Sequence, residues 1–486
     1  MHRTFAIVVL SYFVLLLIVS FLTNRKANNN KTFFIGDRKT PWYIIAIGMV
    51  GTSVSGVSFV SVPGMVRGVD MTYMQMVFGF FIGYIIVAKI LLPLYYRLNL
   101  ISIYSYLENR FGKYSYKTGA SFFILSKTFG SAVKLYLVIH ILQTFIFVFW
   151  QIPFWLTTTF CMAFVWLYTF RGGIKTLIWT DMIQTICLVA VLVVMIWKIK
   201  SLLGLDFSGM VETIANHPNA KIFEFSDWHS KQHFLKQFLS GIFVVIVMTG
   251  LDQDMMQKNL ACRNLKDAQK NMYWYGFAFT PFNLLFLSLG ILLLVLSVQF
   301  DIPLPASGDD ILPMFSTQGI LGNTVLILFA LGIIAAAFNS VDSALTSLTT
   351  SFYVDLLGLE KKESAQGVKI RFIIHLAFSI LMIFIIILVK MMNNQSLIDT
   401  IYTIVSYTYG PLLGLYFFGL FTKKIPRDKF VPYICVLSPI LCYLLSFIFY
   451  KYLNYRFGYE LLMINGFLTF VGLWLSVERP VIKQIK

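Results

Sequence analysis

Ala336, Asn339, Ser340 and Ser343 stand at i, i+3, i+4 and i+7 of a long apolar stretch, 331–355 (LGIIAAAFNSVDSALTSLTTSFYVD). On a helix they share one face. Small side chains and neutral oxygens on one face are what a hard cation such as Na⁺ needs in exchange for its water. Asp342 lies on the neighbouring strip with Thr346 and Thr349. A carboxylate at membrane depth is expensive and marks a function unless a partner explains it. The alternative is a tight helix–helix contact lined by Ser, Thr and Ala, as small residues do in membranes.

Other stretches interrupt their own hydrophobicity. Gly48, Gly51, Thr52, Ser53, Ser55, Gly56, Ser58, Ser61, Pro63 and Gly64 crowd one run, poor material for an unbroken helix. Irregular backbone at that depth is tolerated where it lines a cavity or is buried in protein, and its freed carbonyls suit a cation. A packing face of small residues is the competing explanation. In FRGGIKTLIWTDMIQ (170–184), Gly172-Gly173 punctuates a basic loop and Asp181 enters the next helix about two turns in. That carboxylate either snorkels or serves an ion path. GLDQDMMQKNLACRNLKDAQK (250–270) reads as a polar, amphipathic exit from a span, and Gly410-Pro411 in YTYGPLLGLYFFGLFTKK must kink or interrupt a helix. His229 and His233 have an HxxxH spacing with no carboxylate or Cys to complete a site, so no transition metal is expected.

The elements that position these residues are membrane spans. The 486-residue chain is 58% hydrophobic and only 13% charged, with mean hydropathy +0.76, which excludes a soluble domain. Its net charge of +17 does not point to nucleic acid. Most Lys and Arg sit in short loops between apolar runs, the positive-inside pattern with anionic lipid contact. Five Cys without a CxxC imply no disulfide framework. Runs near the ~20 residues of a span fall at 4–23, 42–67, 73–96, 118–148, 150–169, 176–199, 235–256, 272–299, 312–354, 370–391, 397–422, 430–450 and 458–477, thirteen in all. The first is followed by NRKANNNK and no cleavage site, so it reads as a retained helix. The 312–354 run is too long for one crossing and must tilt or carry a non-spanning entry segment around Pro313. Alternate loops hold 26 and 10 of the 39 Lys and Arg, with Lys89, Lys127 and Lys134 inside runs. The bias places the N-terminus outside and the C-terminus in the cytoplasm.

With ISIYSYLENRFG (101–112), these stretches resemble the sodium/solute symporter family, which includes the sodium–glucose and sodium–proline transporters; the motifs match in order across 40–425. The resemblance implies an all-α, leucine-transporter-type fold. An extra N-terminal helix at 1–24 would precede inverted five-helix repeats at 42–199 and 235–422. An external loop at 200–234 and C-terminal helices with a tail at 423–486 complete the chain. It also implies a main sodium site of the Gly51, Val54 and Ala336 carbonyls with the Asn339 and Ser340 side chains. Asn339 departs from the family's usual Ser and lengthens that ligand. Some members hold a second ion, for which the matching positions are Asp181, Ser340, Asp342 and Ser343. The function implied is Na⁺-coupled uptake of a small solute across a plasma membrane, of the bacterial inner type. No enzyme activity, cofactor beyond the coupling ion, nucleic acid or obligate protein partner is expected.

The solute pocket implied by similarity offers Ser53, Ser55, Ser58, Gln75, Gln237 and Ser240. To these the fourth run adds Lys127 and Lys134, seven residues apart on one face with Gly130 between them. Each either pairs with a structural carboxylate or neutralises an anionic solute such as a carboxylated sugar or an organic acid. Sialic acid-carrying members use a cation on this helix, at the position that Gly130 matches. Only Asp181 and Asp342 stand out as deep acids. A membrane enzyme would need clustered His, Asp or Ser at one interface, and the six His are scattered. A passive pore would favour a continuous polar stripe, and a transport-derived sensor a soluble signalling extension. Accumulation against a gradient in vesicles separates symport from these.

Overall fold

Long apolar runs joined by short polar segments can satisfy their backbone in a bilayer only as helices. The computed structural model describes residues 2–24, 33–34, 36–38, 40–170, 173–359, 365–392 and 397–477, and it is helical with no strand among them. The basic segment 25–32, Arg171, Gly172 and the tail 478–486 lie outside the described residues. Seven helices are long and apolar enough to span a membrane, and three bent pairs raise the number to ten. Three shorter apolar helices cover Ser11–Leu22, Phe154–Thr169 and Leu461–Leu475.

After α1 (His2–Asn24), the Gly/Ser-rich run divides into α2 (Trp42–Ser53) and α3 (Gly56–Val69), bent by 57°. Local hydrogen bonding explains the break. The Ser55 N–H turns to Ser53 O at 3.0 Å, and the Ser58 N–H is capped by Ser55 Oγ at 3.5 Å. A continuous helix would have sent those donors to Gly51 O and Val54 O. Those two carbonyls are thereby left for another partner.

The next helices are α4 (Tyr73–Ile86, continuing to Arg97), α5 (Lys113–Ile141), α6 (Phe154–Thr169) and α7 (Gly173–Leu202). A second broken span follows, α8 (Phe234–Val245) with one wide turn at Ile246–Gly250, then α9 (Gln253–Leu260), bent by 63°. Asp252 caps α9, accepting from the Asp254 N–H at 2.8 Å and the Met255 N–H at 3.4 Å. The expected polar exit is therefore a correction: Gln253 through Leu260 are all buried. The DQD acids terminate and restart a helix inside the protein. The α4–α8 contact is close because Gly79 and Gly241 face each other's backbone, a Cβ on either striking the Phe238 or Met76 carbonyl.

Beyond α10 (Leu265–Gln299), the long run resolves into the short helix Ile311–Thr317 around Pro313 and α11 (Asn323–Ser351), the entry segment rather than one tilted crossing. α11 is buried throughout its polar half. Thr349 and Thr350 return their hydroxyls to the Leu345 and Thr346 carbonyls at 2.7 and 2.9 Å, so much of this hydroxyl-rich stretch satisfies itself. The chain ends with α12 (Ala365–Met392), a pair α13 (Leu397–Thr408) and α14 (Gly410–Phe421) bent by 43° at Gly410-Pro411, α15 (Val431–Leu453) and α16 (Leu461–Leu475).

Candidate ion and solute site

The break between α2 and α3 faces the small-residue strip of α11. Ser340 Oγ lies 3.3 Å from both Thr52 O and Ala336 O, so it can donate to either. Asn339 Oδ1 accepts from Thr52 Oγ1 at 2.6 Å, and its Nδ2 donates to Asp181 O at 3.3 Å. A Cβ on Gly51 would collide with Thr185 Oγ1 and approach Asn339 Nδ2 to 2.8 Å, so only glycine lets α2 come this near α7 and α11. Asn339, Ser340, Ala336, Gly51 and Val54 are thus brought to one buried junction.

Asp181 sits beside it, fully buried, with Ser343 Oγ and Thr52 Oγ1 each 3.4 Å from its Oδ2. Asp342 engages differently, accepting from Tyr168 OH at 2.7 Å and from the Ser343 N–H at 2.5 Å. Sequence reasoning missed Lys258. Its ammonium lies 2.7 Å from Asp181 Oδ2 and donates to Thr52 Oγ1 at 2.5 Å, with the side chain 1% exposed. A Lys four residues after Asp254 was the available signal. It was hidden because the segment resembled a solvated loop.

A cavity of about 90 Å³ adjoins this junction, lined among others by Ser53, Lys127, Lys134, Asp252, Asp254 and Tyr275. Ser53 is hydrogen-bonded to Tyr275 OH, which also accepts from Tyr84 OH at 2.9 Å. Lys127 pairs with Asp252 at 3.1 Å and Asp254 at 2.8 Å, and Asp252 also accepts from Tyr409 OH at 2.6 Å. This corrects the expectation that Asp181 and Asp342 are the only deep acids. Lys134 lines the same cavity, and among the described residues no carboxylate lies within 4 Å of it.

Other expected solute contacts stand away from the cavity lining. Ser55 caps α3, and Ser58 is half-buried one turn further. The Gln75 amide ties down the 200–234 loop, donating to Thr72 O and Gln232 O at 3.1 and 2.9 Å and accepting from the Glu224 N–H at 3.0 Å. Gln237 donates to Lys231 O at 2.9 Å, leaving its Oε1, like Ser240 Oγ, buried without a protein partner. The His229 and His233 rings pack on Tyr455 and Trp228.

Residues 33–428 match the family described as "Sodium:solute symporter family". The sodium/sialic acid symporter SiaT of Proteus mirabilis is 23% identical over 434 residues, covering 86% of this chain and 84% of that protein. The sodium/sialic acid symporter NanT of Aliivibrio fischeri is 25% identical, covering 82% and 79%. In three dimensions, a Na⁺-coupled sialic acid symporter solved in a substrate-bound outward-open state superposes with a TM-score of 0.84 at 21% identity, covering 98% of each chain.

Proposed function

The chain belongs to the sodium:solute symporter family, whose members are multi-pass membrane transporters and not enzymes, and we propose that it drives a small anionic solute into the cell with Na⁺ held at the α2–α11 junction. The observation that carries the ion site is Ser340 Oγ, poised between Thr52 O on the broken helix and Ala336 O on α11. Gly51 O and Val54 O, relieved of helical donors, complete a set of neutral oxygens suited to Na⁺. Asn339 offers an amide oxygen where the family usually has a hydroxyl.

The solute is an anion, a carboxylated sugar or organic acid. Lys127 already has two carboxylates, whereas Lys134 faces the cavity without one. An incoming carboxylate supplies the missing counter-charge. The similarity to sialic acid symporters favours the same class. At about 90 Å³ the cavity is well below the ~300–1,000 Å³ of ordinary ligand pockets. The solute therefore enters only when helices part, as alternating access requires.

We read the three shorter apolar helices as crossing too, giving thirteen spans. The first ten after α1 form two inverted sets, 42–199 and 235–422, each opening on a broken span. Its place is the plasma membrane, of the bacterial inner type, with the N-terminus outside. Uptake into proteoliposomes tests the central claim. Accumulation of an anionic solute under an inward Na⁺ gradient supports it, and equal uptake with choline in place of Na⁺ at constant pH refutes it.

A further inference from the structure

We propose that Lys258 is a tethered cation filling the second ion position, so that one Na⁺ at most accompanies each solute. This deepens the sodium-coupled reading and rests on it. The groups a second Na⁺ would need are already gathered around Asp181: Ser343 Oγ and Thr52 Oγ1, each 3.4 Å from its Oδ2. The Lys258 ammonium occupies that ground, 2.7 Å from Asp181 Oδ2 and 2.5 Å from Thr52 Oγ1. It comes from α9 on the other side of the junction, and both it and Asp181 are fully enclosed.

Two unit charges about 4 Å apart in a protein of effective dielectric ~20 repel strongly enough to weaken a second Na⁺ roughly a hundredfold or more. The side chain does a second thing. Lys258 also stands 4.0 Å from Asp254, which pairs with Lys127 at 2.8 Å. The series Lys127, Asp254, Lys258, Asp181 therefore runs unbroken from the solute cavity to the ion junction. A Na⁺ would leave in each cycle; the tethered ammonium stays and keeps the series charged. The coupling ion is then the one held at Gly51, Val54, Ala336, Asn339 and Ser340.

Equilibrium binding of ²²Na⁺ to the purified full-length protein tests this without knowing the solute. The wild type is expected to bind one Na⁺ per chain. Lys258→Met leaves Asp181 without its ammonium and should gain one more, and the gain should vanish in Lys258→Met/Asp181→Asn. Lys258→Arg should show no gain. A wild type that binds two, or a folded Lys258→Met that gains none, overturns the assignment. If Lys258→Met does not fold, the wild-type count decides: one supports the tethered cation and two refutes it. A wild type that binds none sinks the sodium-coupled reading instead, and the Lys258 assignment is then judged by the gain in Lys258→Met alone.

Discussion

At the scale of single residues, charge pairing separates side chains that the sequence presents as equals. Lys127 and Lys134 share a helix face, yet only Lys127 has carboxylates beside it, Asp252 and Asp254. Removing one side of a buried pair costs about 3–5 kcal/mol, or two or more decades of affinity at ~1.4 kcal/mol per decade. Lys134→Met should accordingly weaken an anionic solute at least a hundredfold while protein yield and Na⁺ binding persist; unchanged affinity would make the lysine structural. Ser340→Ala removes one expected Na⁺ ligand and should raise the Na⁺ concentration for half-maximal uptake several-fold, measured at saturating solute. The ligand candidates on α11 could be found from sequence because i, i+3, i+4 and i+7 place them together by helix geometry alone. Asp181 stands out as a deep acid, but its pairing with Lys258 could not be read, since the contact joins different helices and no local spacing announces it.

Broken helices are the elements that make the site. The α2–α3 interruption was visible in its Gly and Ser content, whereas the excess length of the 312–354 run left a tilted crossing and the Ile311–Thr317 entry segment both open. The α8–α9 break was not visible, because Asp252, Asp254 and Lys258 look like solvated loop charges until helices close around them. Close approach of α4 and α8 holds the second break in place. Gly241→Ala would press its new methyl onto the Met76 carbonyl, a backbone atom that cannot rotate away. Overpacking of this sort costs about 1–3 kcal/mol, so thermal melting in detergent should shift down, and an unchanged midpoint would mean that α4 slides freely. The 200–234 loop docks on the start of α4 through Gln75 and Glu224. Hydrogen bonds from Lys221 and then Ser226 hold the Glu224 carboxyl down at about 2. A depressed carboxylate contributes order that is present above its ordinary value and lost only as pH falls through about 2. Hydrogen-exchange protection of 224–234, corrected for intrinsic rates, should therefore be the same at pH 8 and pH 5.

Taken as a whole, the proposed transport cycle has the molecule show each face of the cavity in turn, and the charge bias predicts which face is which. Lys258 belongs to the buried network, so the loops that the charge bias assigns to the inside hold 25 Lys and Arg rather than 26, still well above 10. Lys231, on the 200–234 loop, and Lys266, in the first turn of α10, are exposed on segments assigned to opposite sides, and four of the five cysteines are buried. Lys231→Cys should react with a membrane-impermeant maleimide in intact cells, and Lys266→Cys only after permeabilisation; the reverse pattern would invert the topology. Met248 extends the test to motion, because it lines the cavity from the wide turn just before the α8–α9 break. With so little free volume around it, Met248→Cys should be slow to modify from either side while the helices are closed. Na⁺ bound at the proposed α2–α11 site would shift the population toward whichever state it fits better, in proportion to that preference. For an ion that must be loaded from outside, that state opens outward. Adding Na⁺ should then speed external modification of Met248→Cys and slow internal modification in the same preparation. Rates that rise together would describe a pore, and rates indifferent to Na⁺ would uncouple the ion from the movement.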